Sequence, residues 1–220
     1  MKNKELTSML YQKRILGILC ILLAPLCLLF GLFGLSSNLP HWYLSISATY
    51  YANSKMFMIG LLFAISVFLF SYQCYDKKDR IVTLIEAVCA LGIVVFPCKT
   101  DSIPQNVGLF NINNEISNYL HCIFALLLFI AFAVQVTFLF TITKHTPTPK
   151  KILRNKIYRI CGIVIFVFIS FEVITTLFKF IPEDFPKTWI NEFFMLTAYG
   201  FAYLVKSEAL AKLNDQQTNK

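Results

Sequence analysis

The sequence predicts an all-α, polytopic membrane protein: a six-transmembrane-helix bundle with N-in/C-in topology. Three observations carry that expectation. Of 220 residues, 57% are hydrophobic and only 15% charged, 22 are Phe, and the mean hydropathy is +0.63. A soluble domain of this length is nearer half apolar and about a quarter charged, so the apolar surface exceeds what one water-facing core buries. Six apolar stretches each approach the roughly 20 residues that cross ~30 Å of hydrocarbon. Finally, the basic residues alternate between dense and sparse loops along the chain.

The six stretches run over about 15–35, 56–72, 81–98, 119–141, 157–179 and 189–205, and we read residues 1–220 as one membrane domain. The first follows a basic segment, as a secretory signal would. It is longer than a signal-peptide core and no A-x-A-type site follows it, so a retained anchor is expected. Pro25 within it is a candidate kink.

Orientation follows from Lys and Arg, which prefer the cytoplasmic side of span ends. One set of loops holds sixteen of them, from Lys2, Lys4, Lys13 and Arg14 through Lys77, Lys78 and Arg80 to the Lys144–Arg159 region, Lys206 and the tail. The other set holds four: Lys55, Lys99, Lys179 and Lys187. This alternation also explains the net charge of +8: the basic surface faces anionic headgroups on the cytoplasmic face. A nucleic-acid partner is not expected, because no basic face is interleaved with exposed aromatics. The expected place is the cell membrane, as a multi-pass protein of a bacterial inner membrane. Thr146-Pro-Thr-Pro-Lys-Lys reads as a stiff basic loop, and the tail after Lys206 as a short helix extension that frays from Gln216 to Lys220.

The seven Cys are scattered, without CxxC spacing or a His neighbour, which argues against a zinc site or a disulfide framework. Small buried apolar groups are the simple reading; a bridge between Cys98 and Cys122, near the outer ends of neighbouring spans, is the alternative.

Three carboxylates lie inside the spans: Glu86, Glu172 and Glu192. Each costs roughly 2.5–3.5 kcal/mol at the membrane centre, so such groups face the protein interior and find partners. Glu172, Thr175, Thr176 and Lys179 share one face of the fifth span. Glu192, Tyr199, Tyr203 and Lys206 share one face of the sixth. His121 and Gln135 share a face of the fourth, with Ser117 and Asn118 one turn outward. Chain direction places His121, Glu172, Glu192 and Lys179 in the outer half, and Glu86 with Lys206 nearer the cytoplasm as an inner polar pair. The first outer loop adds hydroxyls at Ser45, Ser47, Tyr50 and Tyr51.

A polar pocket toward the outer leaflet is therefore expected. His121, Glu172 and Glu192 are the candidates for acid–base or catalytic roles, since imidazole titrates near neutrality. Ser45, Ser47, Tyr50, Tyr51, Lys179 and Tyr199 are the candidates for lipid or ligand binding. Each has a plainer reading: buried carboxylates and His121 as helix–helix hydrogen bonds, the serines as a cap at a loop–helix junction, and Lys206 as a snorkelling lysine. Trp42, Tyr43 and Trp189 fit an interfacial belt.

The order of features resembles a group of small bacterial six-helix membrane proteins of unknown function. The matching stretches are Ser45-Ile-Ser-Ala-Thr-Tyr-Tyr, Tyr75-Asp-Lys-Lys-Asp, Phe96-Pro, His121, Asn155-Lys-Ile-Tyr-Arg-Ile-Cys-Gly and Leu204-Val-Lys-Ser-Glu. More remotely, Ser-Ile-Ser-Ala followed by an intramembrane His is similar to the eukaryotic family of autophagy modulators and GPI-lipid remodelling factors. That resemblance implies a lipid-linked role in a six-helix bundle and carries no catalytic assignment. Alkaline-ceramidase-like hydrolases need several His, an Asp and a Ser around zinc. Here only His41, His121 and His145 occur, with His145 on the opposite side, so neither a catalytic metal nor another cofactor is expected.

Three functions follow as expectations. The first is an integral membrane protein binding or modifying a lipid or other amphiphile, with membrane lipids as its partners. The second is a non-catalytic subunit or sensor with a protein partner, its buried polar groups fixing helix packing. The third is a small proton-coupled carrier or channel, although no inverted repeat or paired broken helices appear. Enzyme status stays open.

Overall fold

Among the described residues, six α-helices make up most of the structure: α1 Lys2–Phe33, α2 Lys55–Ser71, α3 Lys77–Val95, α4 Asn114–Val134, α5 Pro149–Phe178 and α6 Lys187–Lys206. The computed structural model describes residues 2–33, 41–72, 76–99, 105–143, 146–210 and 213–214, with backbone alone for 2–6. Leu35, Cys74, Tyr75, Lys144, His145 and the tail residues Gln216–Lys220 lie outside the described residues. A 3₁₀ turn, Ser47–Tyr51, precedes α2, and a π turn, Gln135–Leu139, extends α4. A two-residue antiparallel ladder pairs β1 (Asn106–Val107) with β2 (Ile112–Asn113) in the loop before α4. The sequence reading contained no strand there.

Local chemistry sets the helix ends. Asp76 accepts from the Asp79 amide at 2.8 Å and Asn113 from the Glu115 amide at 2.9 Å, capping α3 and α4. Thr148 caps α5, with Pro149 in the first turn, where a missing N–H costs nothing. Pro97 is incompatible with helical continuation, and α3 stops two residues before it, at Val95 rather than at residue 98. Lys179 ends α5 in the left-handed region, at φ 49°.

Two helices start well before their apolar stretches. α1 is helical from Lys2 and α5 from Pro149. Their leading Lys, Arg, Glu and Leu are good helix formers, and an apolar run marks where a helix can meet lipid, not where it begins. Pro25 sits inside α1 without ending it. The tail departs from expectation: α6 stops at Lys206, and Glu208 takes φ 55°, which a continuing helix does not allow.

The helices close into a ring in chain order, each packed on the next and α6 returning to α1. At the return crossing a Cβ on Gly17 would lie 2.7 Å from the Gly200 carbonyl oxygen, and one on Gly200 would lie 2.6 Å from that of Gly17. The two glycines thus let α1 and α6 touch backbone to backbone. One end of the bundle, the loop end, carries the residues between α1 and α2, α3 and α4, and α5 and α6. The other, the termini end, carries the start of α1 and the end of α6.

Among the described residues, α1 from Thr7, α4 with its π turn, and α5 are long and apolar enough to cross a membrane; α2 is apolar but shorter. α3 and α6 carry more charge. Their acidic residues Asp79, Glu86 and Glu192 are all buried inside the ring, as is the neutral Asn191.

Candidate functional site

At the loop end, α6 is tied to the residues that follow α1. Glu192, in the second turn of α6, accepts the Ile46 amide on Oε2 at 2.6 Å and the Ser47 hydroxyl on Oε1 at 3.5 Å. Glu172, near the end of α5, accepts the Thr188 hydroxyl on Oε1 at 2.7 Å and the Asn191 amide on Oε2. Thr188 and Asn191 were not singled out in the sequence. Their spacing of three positions is the signal that puts both on one side of α6, the side that faces α5.

The end of α3 supplies the third wall. Residues 96–98 leave the helix, and each offers its carbonyl to a side chain. His121 donates Nδ1–H to Phe96 at 2.8 Å, Ser117 donates to Pro97 at 2.8 Å, and Tyr51 donates to Cys98 at 2.7 Å. A carbonyl only accepts, so the bond to Phe96 assigns the His121 tautomer: Nδ1 carries the proton and Nε2 carries the lone pair. Burial pushes the Tyr51 phenol above its usual range, which keeps it a donor.

Between these walls lies a cavity of about 360 Å³. Its polar end is made by Ser45, Ser47, His121, Glu172, Asn191 and Glu192. Its apolar part runs over Phe129, Ile169 and Val173. Leu126 of α4 and Val173 of α5 both line it and remain 45% and 43% exposed, so the cavity opens sideways between α4 and α5. Cys98 and Cys122 line it too, as free thiols, so the alternative of a disulfide between them is not the arrangement found.

Of the residues expected to share this pocket, the structure brings together Ser45, Ser47, His121, Glu172 and Glu192 and leaves four aside. Tyr51 is spent on the Cys98 carbonyl, and the Tyr50 ring lies under the Lys55 ammonium at 4.3 Å. Lys179 caps α5 with an exposed side chain, because the left-handed residue at a helix end no longer follows the helical face. Tyr199 lies two turns along α6 from Glu192, about 10 Å of rise, and belongs to a second cluster.

That cluster is buried in the termini half. The Tyr199 hydroxyl lies 2.9 Å from Glu86 Oε2 and 3.1 Å from Gln135 Oε1. Tyr203 donates to Gln135 Oε1 at 3.1 Å, and Gln135 Nε2 donates to Thr83 at 2.7 Å and Asp79 at 3.3 Å. Phe132 stacks on Tyr199 with ring centroids 3.5 Å apart. Glu86 is wholly buried, and its Oε1 has no hydrogen-bond partner among the described residues.

The inner pair is rearranged relative to expectation. The carboxylate beside Lys206 is Asp79, at 3.9 Å, while Glu86 takes the Tyr199 hydroxyl. Asp79 reads as a surface charge because Lys77, Lys78 and Arg80 surround it in sequence, yet it is only 2% exposed. Gln135, at the start of the π turn, points into this cluster rather than toward His121. A separation of fourteen positions puts the two at opposite ends of one helix face.

Comparison with protein-family models, characterised proteins and solved structures finds no match to this chain.

Proposed function

We propose that this chain is a six-span, N-in/C-in membrane protein that binds an amphiphile in the cavity between α4, α5 and α6, headgroup against His121, Glu172 and Glu192. The cavity carries this reading. It is polar at one end and apolar at the other, it opens sideways toward the flank of the bundle, and its volume falls within the range of small-molecule sites. A ligand arriving from the bilayer keeps its chain in hydrocarbon while its head enters between the helices. With the positive charge on the termini side, the cavity lies in the outer half of the membrane.

The same groups are equipped for proton transfer. His121 Nε2 is an acceptor, and each carboxylate retains lone pairs beyond those used by its donors. Native mass spectrometry of protein purified from membranes tests the proposal. Wild type is expected to carry an amphiphile that the H121A/E172A/E192A variant loses. Equal occupancy in the two proteins, or none in either, contradicts it.

One observation favours a second reading, a proton-coupled carrier: the bare oxygen of Glu86 at the head of a hydrogen-bonded chain through Tyr199, Gln135 and Thr83. Liposomes containing the protein and given a pH gradient test it. Wild-type flux abolished by E86Q supports that reading, and absence of flux removes it.

A further inference from the structure

The amphiphile reading leaves the headgroup undefined, and the chemistry of the polar end narrows it. Resting on that reading, we infer that the headgroup is a primary ammonium, held by Glu172 of α5, Glu192 of α6 and Nε2 of His121 of α4.

Charge is the first argument. Among the described residues, the cavity wall contains two carboxylates and no Lys or Arg. The groups that donate to those carboxylates are the Ile46 amide, the hydroxyls of Ser47 and Thr188, and the Asn191 side-chain amide. All are neutral. Lys187, the first residue of α6, directs its ammonium to the Thr175 hydroxyl at 3.3 Å, and Thr175 does not line the cavity. Two carboxyl groups facing one low-dielectric space ionise together only against mutual repulsion, and a cation between them relieves that repulsion. An anionic or phosphate-only headgroup adds to it.

Hydrogen-bond geometry supplies an independent argument. His121 is 5% exposed and lines the cavity. With Nδ1–H committed to the Phe96 carbonyl, Nε2 of the neutral ring is left as an acceptor, and it accepts no hydrogen bond from the described residues. It calls for an N–H or O–H donor from whatever enters. A primary ammonium carries three N–H donors, and the polar end offers three acceptors, one from each helix. A trimethylammonium has the charge without the donors, and a hydroxyl has one donor without the charge. Of these three, the primary ammonium alone matches both.

The apolar part then requires a chain. Phe129, Ile169 and Val173 continue the cavity toward the α4–α5 opening, so a free small amine leaves that surface uncovered. A single-chain amine and an ethanolamine-type lipid headgroup share the required chemistry.

Protection of Cys122, which lines the cavity, from alkylation in neutral-detergent solution tests the inference. The probes are dodecylamine, dodecyltrimethylammonium, dodecanol, dodecanoate and ethylamine. Dodecylamine is expected to protect at about tenfold lower concentration than the other dodecyl probes, the worth of a charge-assisted hydrogen bond, and ethylamine not to protect. In E172Q/E192Q the advantage of dodecylamine over dodecanol is expected to collapse, with a wild-type circular-dichroism spectrum showing that the variant is folded. An advantage that survives in the folded variant overturns the assignment. Equal protection by all four dodecyl probes overturns the ammonium assignment and leaves the amphiphile site standing. No protection by any of them overturns both. In nanodiscs, protection by phosphatidylethanolamine over phosphatidylglycerol assigns the ammonium to a lipid headgroup. Equal labelling in the two assigns it to a single-chain amine.

Discussion

The Ile46 amide donates to the Glu192 carboxylate at 2.6 Å, joining the loop after α1 to the second turn of α6 across 146 residues. Both groups are buried, so this bond closes the loop end of the helix ring and aims Glu192 into the cavity. Replacing Glu192 by Ala leaves the buried Ile46 N–H without its acceptor, which costs about 1–3 kcal/mol. E192Q keeps an acceptor oxygen and is expected to cost less. Unfolding midpoints of purified wild type, E192Q and E192A check the order, and equal loss in both variants speaks against a specific role for this bond.

The α1–α6 crossing depends on Gly17 and Gly200. A methyl on Gly200 meets the Gly17 carbonyl oxygen at 2.6 Å, and a backbone atom cannot rotate away. G200A is expected to destabilise by about 1–3 kcal/mol, as overpacking does. Gly60 of α2 is the control, because nothing lies within 4 Å of a Cβ placed there. G60A is expected to be neutral, or to stabilise by up to about 1 kcal/mol through helix propensity.

Tyr199 links Glu86 to Gln135 in the termini half. Y199F removes that hydroxyl from a buried network and is expected to cost about 1–3 kcal/mol. Y203F removes a bond to Gln135 alone and is expected to cost less. E86Q keeps the shape of the side chain while removing a buried ionisable group, and such replacements are often neutral or stabilising. Denaturation of the three variants gives the ranking. A large loss in E86Q means that ionised Glu86 is itself stabilising.

In the proposed N-in/C-in orientation the cavity faces the outer side. Cys122 is exposed on α4 near the loop end. In intact cells it is expected to react with a membrane-impermeant maleimide added outside. Modification only after the cytoplasmic face is opened reverses the orientation.

Much of this architecture is written in hydropathy. Apolar runs mark the helices, and carboxylates inside them mark an interior face, because lipid cannot hold them. Chain direction then sets depth, which is why Ser45, Ser47, His121, Glu172 and Glu192 fall at one level and line one cavity. Face alone is a poorer guide. Tyr199 shares a helical face with Glu192, yet two turns of rise move it into another cluster. Asp79 hides its burial among three basic neighbours, and Lys206 therefore gains a carboxylate that its sequence context does not announce. The outward turn of Lys179 depends on a backbone conformation at the end of α5, and neither composition nor periodicity encodes it.

Photolabelling is the most direct check on the claim that an amphiphile enters between α4 and α5. A diazirine-bearing alkyl probe, crosslinked in membranes and mapped by peptide mass spectrometry, is expected to modify Phe129, Ile169 or Val173, and an excess of unlabelled amphiphile should suppress those adducts. Adducts confined to outward-facing positions such as Phe63, Val67 and Phe70, unaffected by competitor, would contradict it.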